Sequence, residues 1–177
     1  MDIASKGAME IFWRRGYLAT NLPDLLQAMG LTRGSFYKAF GDKEAAYLVA
    51  LDRYDTLVVD KTVEMLTRCE GADAADCLGL LFSGSADPTR GCLICNAMVE
   101  LGPFNSKVSE KANMMAARLR NAIHSVLRRF RPHWNDHRVS EMADVVLHLY
   151  FGHQAMGKAR HAQSDWVSRL ESLLETA

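Results

Sequence analysis

The chain has 177 residues, of which 21 are Lys or Arg, 21 are Asp or Glu and 49% are hydrophobic. The net charge of zero excludes a histone-like basic protein and a disordered acidic tail, so any binding to nucleic acid must come from a local patch. A chain of this length buries roughly 70% of its unfolded surface, and it needs neither a disulfide framework nor a structural metal in order to fold.

Membrane and export signals are weak in this sequence. The longest stretch without Asp, Glu, Lys or Arg has 13 residues, at positions 145–157, which is too short to span a bilayer. The N-terminus brings acidic and basic residues together and has no long apolar core. We expect no transmembrane helix, no membrane partner and no secretory signal.

Four cysteines are sparse in this long chain, which predicts reduced thiols in a cytoplasm. They are Cys69, Cys77, Cys92 and Cys95. Their spacing is not that of a zinc ribbon, and the six histidines form no His-Glu-x-x-His pattern. The sequence shows no nucleophile–base set and no glycine-rich phosphate loop. We therefore expect no metal, no cofactor and no catalytic residue.

Apolar residues recur at helical spacing along nearly the whole chain, and no segment alternates convincingly as a strand does. The pattern predicts an all-α protein with nine helices. Their expected positions are about 4–16, 21–30, 32–40, 43–69, 75–84, 91–101, 106–130, 136–161 and 164–174.

Two of the predicted helices are short and are joined by a tight turn. Asn21 is a suitable N-cap for the first, Pro23 fits its first turn, and Gly30 ends it. Thr32 is a suitable N-cap for the second. Two short helices joined in this way form a helix-turn-helix pattern, whose second helix enters the major groove of DNA.

The run GYLATNLPDLLQAMGLTRGSFYKAFGDKEAAY, from Gly16 to Tyr47, resembles the DNA-binding domain of the TetR/AcrR family of transcriptional regulators. The family pattern is G-Y-x-x-T, an Ile- or Leu-rich helix, A-x-G-[VL]-[ST]-[KR]-G-[ST]-[FL]-Y-x-x-F and [SD]-K-E. The resemblance implies a nine-helix, TetR-like, all-α fold. It also implies an N-terminal three-helix helix-turn-helix domain at residues 1–42 and a C-terminal helical ligand-binding and dimerisation domain at residues 43–177.

Three features depart from the family pattern. Pro23 stands in the second helix, and Lys38 stands where family members often have an aromatic residue or His. Family members also commonly carry several Arg or Lys residues before the first helix, whereas residues 1–43 here contain six basic and four acidic residues, a net charge of +2. Either the true start lies upstream or the helices alone supply the positive charge that faces DNA.

The resemblance and the side-chain chemistry together assign contacts with a double-stranded DNA operator. We expect Arg33 to contact a base, because a guanidinium donates to guanine O6 and N7 together, while Gly34 lets the backbone approach. Arg33 and Lys38 could instead be ordinary solvated charges. Hydroxyl and ammonium groups elsewhere are better suited to phosphate than to bases. The predicted DNA-binding residues are Thr20, Thr32, Arg33, Gly34, Ser35, Tyr37, Lys38 and Lys43.

The segment GCLICN at residues 91–96 carries the most distinctive chemistry outside that run. A spacing of three places Cys92 and Cys95 on one helix face, with Cys92 in the first turn. The helix N-terminus and the neighbouring Arg90 both favour the thiolate, which is the reactive form. The pair is either a reactive sensor or two small apolar residues packed in a core, which is the commoner role of free cysteine.

Apolar faces of the later helices are expected to converge on a chamber for a small-molecule effector. The absence of a charge cluster indicates an apolar or aromatic effector, although most of these residues could equally form an ordinary core. The candidate ligand-binding residues are Phe82, Cys92, Cys95, Asn96, Val99, Met115, Leu119, Leu147, Tyr150 and Phe151.

The last two helices are expected to form a homodimer interface. The segment 139–156 is apolar around much of its circumference, and a helix that is apolar on two faces needs two partners. The final helix adds Trp166, Val167, Leu170, Leu173 and Leu174.

These observations favour a cytoplasmic, ligand-responsive, homodimeric transcriptional regulator, a repressor that its effector releases from the operator. The main alternative is a helical thiol peroxidase-like enzyme that uses Cys92 and Cys95, but it leaves the segment from Gly16 to Tyr47 unexplained. A scaffold that binds only other proteins has no positive support in the sequence. We therefore expect no enzymatic activity.

Overall fold

The computed structural model describes residues 2–83, 90–157 and 165–176, and within these ranges the chain forms nine helices and no strand. The predicted all-α fold is confirmed. The helices are α1 (Asp2–Arg15), α2 (Leu22–Met29), α3 (Arg33–Phe40), α4 (residues 43–67), α5 (Ala74–Gly79), α6 (Leu93–Glu100), α7 (Ser106–Phe130), α8 (Asp136–Gly157) and α9 (Trp166–Thr176).

The short helices begin and end where the sequence indicates. The side chain of Asn21 accepts a hydrogen bond from the Asp24 backbone N–H at 2.9 Å, and Gly30 ends α2 in the left-handed conformation with φ of 65°. Thr32 accepts from the Ser35 backbone N–H at 3.2 Å and so caps α3. These contacts satisfy N–H groups that have no partner within the helix, which stabilises each helix end.

The long helix α4 differs from its prediction in two respects. It consists of α-helix over Lys43–Tyr54, a π-helical turn over Asp55–Val59 and α-helix again over Asp60–Thr67. The spacing of apolar residues did not predict the π turn, because such turns are rare single turns inside an otherwise regular α-helix. The helix also ends at Thr67, two residues earlier than predicted.

Helices α5 and α6 are shorter than predicted. The α-helix of α5 ends at Gly79 and turns follow it, while residues 84–89 lie outside the described ranges. Helix α6 begins at Leu93, because Cys92 is its N-cap and Gly91 has a positive φ of 61°. The predicted last residue of α8, at position 161, and the predicted first residue of α9, at position 164, also lie outside the described part of the chain.

The chain packs as two compact units. The first comprises Met1–Val58 with Cys92–Met115, and the second comprises Val59–Gly91 with Ala116–Ala177. This division follows packing, whereas the predicted boundary between residues 42 and 43 concerns function and stays a prediction.

The core of the first unit centres on aromatic residues from α1 and α4. Phe12 and Tyr47 are both fully buried, and their rings meet edge to face with centroids 4.9 Å apart. Helices α1 and α2 approach closely at Gly7, where an added Cβ would lie 2.0 Å from the Ala28 carbonyl oxygen. The close contact at Gly7 holds α1 against the helix-turn-helix, and the aromatic pair holds it against α4.

The second unit contains a disulfide between Cys69 and Cys77, so the prediction that all four thiols are reduced is wrong for this pair. The turn between α4 and α5 brings their Cα atoms to 5.6 Å, a distance that a disulfide spans. Sequence spacing alone does not show that close approach. The Arg131 guanidinium also binds Asp73, the N-cap of α5, in the same region.

Helices α5 and α9 also meet in the second unit. An added Cβ at Gly79 would lie 2.7 Å from a methyl carbon of Val167. Leu170 and Leu174 are nearly fully buried in this unit. The apolar residues of α9 therefore serve the core of their own protomer in part, which the sequence did not distinguish from a subunit interface.

Among the described helices, none combines the length and the apolar character needed to cross a membrane.

Candidate nucleic-acid interface

One face of α3 is exposed and polar. Phe36 is fully buried and fixes the helix to the core, whereas the next residue, Tyr37, is 49% exposed. The exposed face contains two basic side chains and no acidic one, since residues 31–41 include Arg33 and Lys38 but neither Asp nor Glu. The predicted residues that share this exposed surface are Thr32, Arg33, Gly34, Ser35, Tyr37 and Lys38.

The first turn of α3 leaves room for a partner. An added Cβ at Gly34 would meet nothing within 4 Å, so the packing of this chain does not itself require glycine there. The hydroxyl groups of Thr32 and Ser35 hydrogen-bond to each other at 3.0 Å beside it. A backbone without a side chain at the start of an exposed helix allows close approach to the edges of base pairs.

Thr20, which was predicted to contact phosphate, does not belong to this exposed surface. Its side chain is fully buried, and its hydroxyl donates to the Gly16 carbonyl oxygen at 2.7 Å. The hydroxyl closes the turn between α1 and α2, so it is not available to a phosphate in this structure. The sequence pattern alone does not separate these two uses of a threonine.

Lys43 lies at the first residue of α4 and is half-buried. Its ammonium nitrogen stands 4.2 Å from the centre of the Tyr17 ring, at cation–π distance. Burial lowers the pKa of Lys43, and the negative charge of Glu100 opposes that change. Lys43 is therefore a partly desolvated cation at the corner of the domain rather than a fully exposed one.

Glu100 is a residue of this corner that the sequence analysis missed. Its carboxylate accepts a hydrogen bond from the Tyr17 backbone N–H at 2.7 Å, although 83 positions separate the two residues. Gly16 has φ of +83°, and an added Cβ there would lie 2.3 Å from Glu100 Oε1. No local signal in the sequence indicates such a contact between residues so far apart.

Tyr47 lies next to that carboxylate in the core. Burial raises the pKa of its phenol, and the charges of Glu100 and Tyr17 raise it further. Among the described residues its hydroxyl has no hydrogen-bond partner. The negative charge of Glu100 thus lies near the aromatic rings of Tyr17 and Tyr47 and the ammonium group of Lys43.

The other two cysteines, Cys92 and Cys95, lie together in the first unit. Cys92 is 1% exposed and Cys95 is half-buried. The hydroxyl of Tyr54, on α4, donates to Cys92 Sγ at 3.7 Å. The pKa of Cys92 is lowered to about 7, chiefly by a hydrogen bond from the Cys95 thiol, while burial opposes this shift.

The predicted ligand-binding residues fall in both units. Cys92, Cys95, Asn96, Val99 and Met115 belong to the first unit, and Phe82, Leu119, Leu147, Tyr150 and Phe151 belong to the second. Val99 is 79% exposed and does not face a chamber, because it lies on the face of α6 opposite the buried residues Ile94 and Ala97. The others are buried or half-buried, so each could serve a core or a pocket.

Aromatic residues of the second unit surround a cavity of about 220 Å³, lined in part by Phe82, Trp166 and His153. The rings of Phe82 and Trp166 are stacked with centroids 4.3 Å apart, and Tyr150 meets Phe82 edge to face at 6.0 Å. Burial lowers the pKa of His153, which favours the neutral ring. The wall therefore combines aromatic rings with the polar residues Ser83 and Asp165.

A larger groove of about 640 Å³ runs along α8 and α9. One face of α8 packs inside the protomer through fully buried residues such as Val139 and Val146, while Val145 and Met156 are 42% and 55% exposed. The residues that line the groove are Asp144, Val145, His148, Leu149, Gly152, His153, Met156, Gly157, Trp166 and Arg169. Helix α8 is therefore apolar on a second, uncovered face.

Within the described residues, no group of three or more His, Cys, Asp or Glu side chains is placed to hold a metal ion.

Comparison with known proteins places the helix-turn-helix in a family. Residues 5–48 match the family model described as bacterial regulatory proteins, tetR family. The HTH-type transcriptional repressor ComR of Escherichia coli (strain K12) is 32% identical over 114 residues, which are 61% of this chain and 54% of that protein. An uncharacterized HTH-type transcriptional regulator of Bacillus subtilis (strain 168), YezE, is 28% identical over 129 residues, which are 68% of this chain and 65% of that protein.

The resemblance to solved structures covers nearly the whole chain. The TetR family transcriptional regulator CifR, solved as a cysteine mutant with a 26-bp double-strand operator DNA, has a TM-score of 0.80 and 26% identity. The similarity spans 98% of this chain and 95% of that one. The match thus spans about half to two thirds of the two curated relatives, but almost the entire length of the solved one. Residues 5–48 thus form a helix-turn-helix domain of the tetR family of bacterial regulatory proteins, and the chain as a whole shares the fold of the solved regulator CifR.

Proposed function

We propose that this protein is a homodimeric transcriptional regulator that binds a double-stranded DNA operator through α3. The observation that carries the proposal is the exposed face of that helix, where Arg33 and Lys38 stand beside open space at Gly34 and no acidic residue intervenes. Basic side chains on an exposed helix attract phosphate, and an arginine in its first turn can read guanine.

The comparisons support this proposal. The solved relative at 26% identity is a complex with operator DNA, and the E. coli relative is named a transcriptional repressor. We propose the same role for this chain, repression in the cytoplasm, with the DNA contacts assigned to the exposed residues of α3 and to Lys43. The buried Thr20 is left out of the set.

A second copy of the chain is proposed to cover the uncovered face of α8. Two recognition helices must reach half-sites about 34 Å apart on one side of the duplex, which requires a dimer. Val145 and Met156 expose apolar surface at helical spacing on that face. We therefore assign the groove along α8 and α9 to the dimer rather than to the effector.

A small apolar or aromatic effector is proposed to control DNA binding. The cavity beside Phe82 supports this class of ligand, because Phe82 and Trp166 stack on one another and His153 tends towards its neutral form. Leu119, Leu147, Tyr150 and Phe151 of the same unit remain candidates for contact. Binding there releases DNA if the effector favours a conformation whose helix spacing does not match the half-sites.

Selection of bound fragments from the source genome tests the proposal and identifies the operator. The purified protein is incubated with sheared genomic DNA, and recovered fragments are sequenced. We expect enrichment of a short palindromic motif upstream of a few genes, with a Kd that rises steeply with salt. Uniform recovery of all fragments would exclude a specific regulator.

The thiol pair supports one other candidate, a peroxidase-like enzyme. Cys92 and Cys95 lie together, and the pKa of Cys92 is low for a thiol. An enzyme would consume many equivalents of hydroperoxide per protein when a reductant is supplied, whereas a regulator would react once per chain. Measuring peroxide consumption therefore separates the two functions.

A further inference from the structure

The proposed DNA-binding function makes no use of the thiol pair at the start of α6. Cys92, the N-cap of the helix, is 1% exposed, and Cys95 lies one turn later and is half-buried. Their side chains hydrogen-bond to each other. A buried thiol and a more accessible thiol in contact form the arrangement that a two-step oxidation requires.

Four groups stabilise negative charge on the sulfur of Cys92. The Cys95 thiol contributes most, and the backbone N–H groups of Cys95 and Ile94 and the hydroxyl of Tyr54 add to it. These groups offset the cost of burying the charge, so the pKa of Cys92 falls to about 7. A substantial share of Cys92 is therefore thiolate at neutral pH, and the thiolate is the nucleophile in disulfide formation.

We propose that Cys92 and Cys95 form a reversible oxidation site for small hydroperoxides, in which closure of a disulfide across the first turn of α6 lowers the affinity of the protein for DNA. The loss of DNA affinity rests on the DNA-binding function proposed above, whereas the formation of the Cys92–Cys95 disulfide does not depend on it. Cys95 is the entry point because it is the more exposed thiol, and Cys92 closes the bond.

The reaction balances in two steps. Cys95 gives its proton to the neighbouring Cys92 thiolate and attacks the peroxide, so the O–O bond breaks and the departing alkoxide takes a proton from solvent and leaves as an alcohol. Cys95 is then a sulfenic acid. Cys92 then gives up the proton that it received, and its Sγ attacks Cys95 Sγ; the S–O bond breaks, and the departing hydroxide takes up that proton and leaves as water. Two thiols and one hydroperoxide thus give one disulfide, one alcohol and one water.

Two contacts connect this site to the helix-turn-helix within the same unit. Tyr54, whose hydroxyl donates to Cys92, packs edge to face against Trp13 of α1 with ring centroids 5.0 Å apart. At the other end of α6, Glu100 holds the Tyr17 backbone N–H at 2.7 Å. A disulfide shortens the separation of the two sulfurs to about 2.05 Å, so the first turn of α6 must move and Tyr54 loses a thiolate acceptor.

Peptide mapping tests the chemistry directly. The reduced protein is treated with hydrogen peroxide, free thiols are blocked, and trypsin then separates the two cysteine pairs into peptides 69–90 and 91–107. We expect peptide 91–107 to become two hydrogens lighter and resistant to blocking, and to regain both thiols with dithiothreitol. Two blocked thiols in that peptide after peroxide treatment would overturn the proposal.

DNA binding is measured on the same samples with a genomic fragment recovered by selection. Oxidation should raise the Kd of the parent by about fivefold or more, and dithiothreitol should restore it. Cys95→Ser should bind as the reduced parent does and should not respond to peroxide. A loss of affinity that persists in Cys95→Ser, or a disulfide in peptide 91–107 without any change in Kd, would contradict the regulatory role.

The two proposals fail in different ways. If the reduced parent shows no specific DNA binding, the proposed function is wrong, while the peptide map still decides the thiol chemistry. Peptide 69–90, measured in the same digest, shows whether any change in affinity follows the other cysteine pair instead.

Discussion

The carboxylate of Glu100, the last residue of α6, accepts a hydrogen bond from the backbone N–H of Tyr17, in the turn that precedes α2. Gly16 makes this contact possible, because it has a positive φ and no side chain where the carboxylate lies. A residue remote in sequence thereby holds the start of the helix-turn-helix. The geometry at Gly16 leads to the first prediction.

Gly16→Ala should lower the free energy of unfolding by about 2 to 3 kcal/mol, because the residue needs a left-handed backbone and its Cβ would collide with Glu100. Thermal unfolding followed by circular dichroism measures the change. Gly34→Ala is the matched control, since its Cβ meets open space and alanine favours a helix by about 0.5 to 1 kcal/mol. Equal stability of the two variants would contradict the assigned role of Gly16.

Tyr47→Phe should leave the free energy of unfolding unchanged or raise it by up to about 1 kcal/mol. The Tyr47 hydroxyl is buried without a hydrogen-bond partner among the described residues, so its removal relieves a desolvation cost. Tyr54→Phe is the comparison, because that hydroxyl donates to Cys92 and its loss should destabilise. Urea denaturation of both variants shows whether each substitution raises or lowers the free energy of unfolding. A large decrease for Tyr47→Phe would contradict the prediction, because it would mean that the Tyr47 hydroxyl makes a stabilising hydrogen bond.

Arg33→Ala should weaken specific DNA binding by roughly 1 to 3 kcal/mol and relax base preference at one position. Arg33 is exposed in the first turn of α3. Arg68→Ala removes another exposed guanidinium, outside α3, and should have little effect. DNA-binding titrations are run at matched salt with a specific and a scrambled fragment. Weaker binding to the specific fragment alone indicates a base contact, whereas weaker binding to both fragments indicates a general charge effect. Equal affinity of the parent and Arg33→Ala for the specific fragment would exclude both.

Val145→Glu and Met156→Glu should convert a dimer into a monomer at micromolar concentration, because they place charge on the uncovered apolar face of α8. Val99→Glu is the matched control, since Val99 is 79% exposed on α6. Leu170 and Leu174 are unsuitable sites for this test because both are buried in the protomer core. Sedimentation velocity measures the oligomeric state of each variant. If both α8 variants remain dimeric, the dimer interface lies elsewhere.

Asp144→Asn should reduce stability at pH 7 by less than about 1 kcal/mol, since the side chain is 47% exposed. A hydrogen bond from Arg120 holds the pKa of Asp144 below its usual value, although burial opposes this. The folded pKa lies below the unfolded one, so the contribution is present above about pH 4 and is lost as pH falls. Unfolding curves from pH 7 to about pH 2.5 should converge for parent and variant. A double-mutant cycle with Arg120→Gln isolates the pair, and a constant gap between the curves would contradict the assignment.

Local signals allowed the short helices and the exposed polar face of α3 to be predicted. Asn21, Thr32 and Asp42 cap three consecutive helices with side chains that reach a backbone N–H three residues on, so their effect is encoded within a single turn. The exposed face of α3 followed from the buried position of Phe36 and from helical spacing. Such features need only neighbours in sequence.

Tertiary packing decided the rest. The sequence determined where α2, α3 and α4 begin, which residues of α3 are polar, and that Cys92 and Cys95 are one helical turn apart. It could not show that Cys69 meets Cys77, that Glu100 reaches Tyr17, that Thr20 is buried, or which face of α8 stays uncovered. Each of these depends on how separate helices approach one another. That approach is determined by the summed packing of many side chains, whose individual contributions leave no local pattern in the sequence.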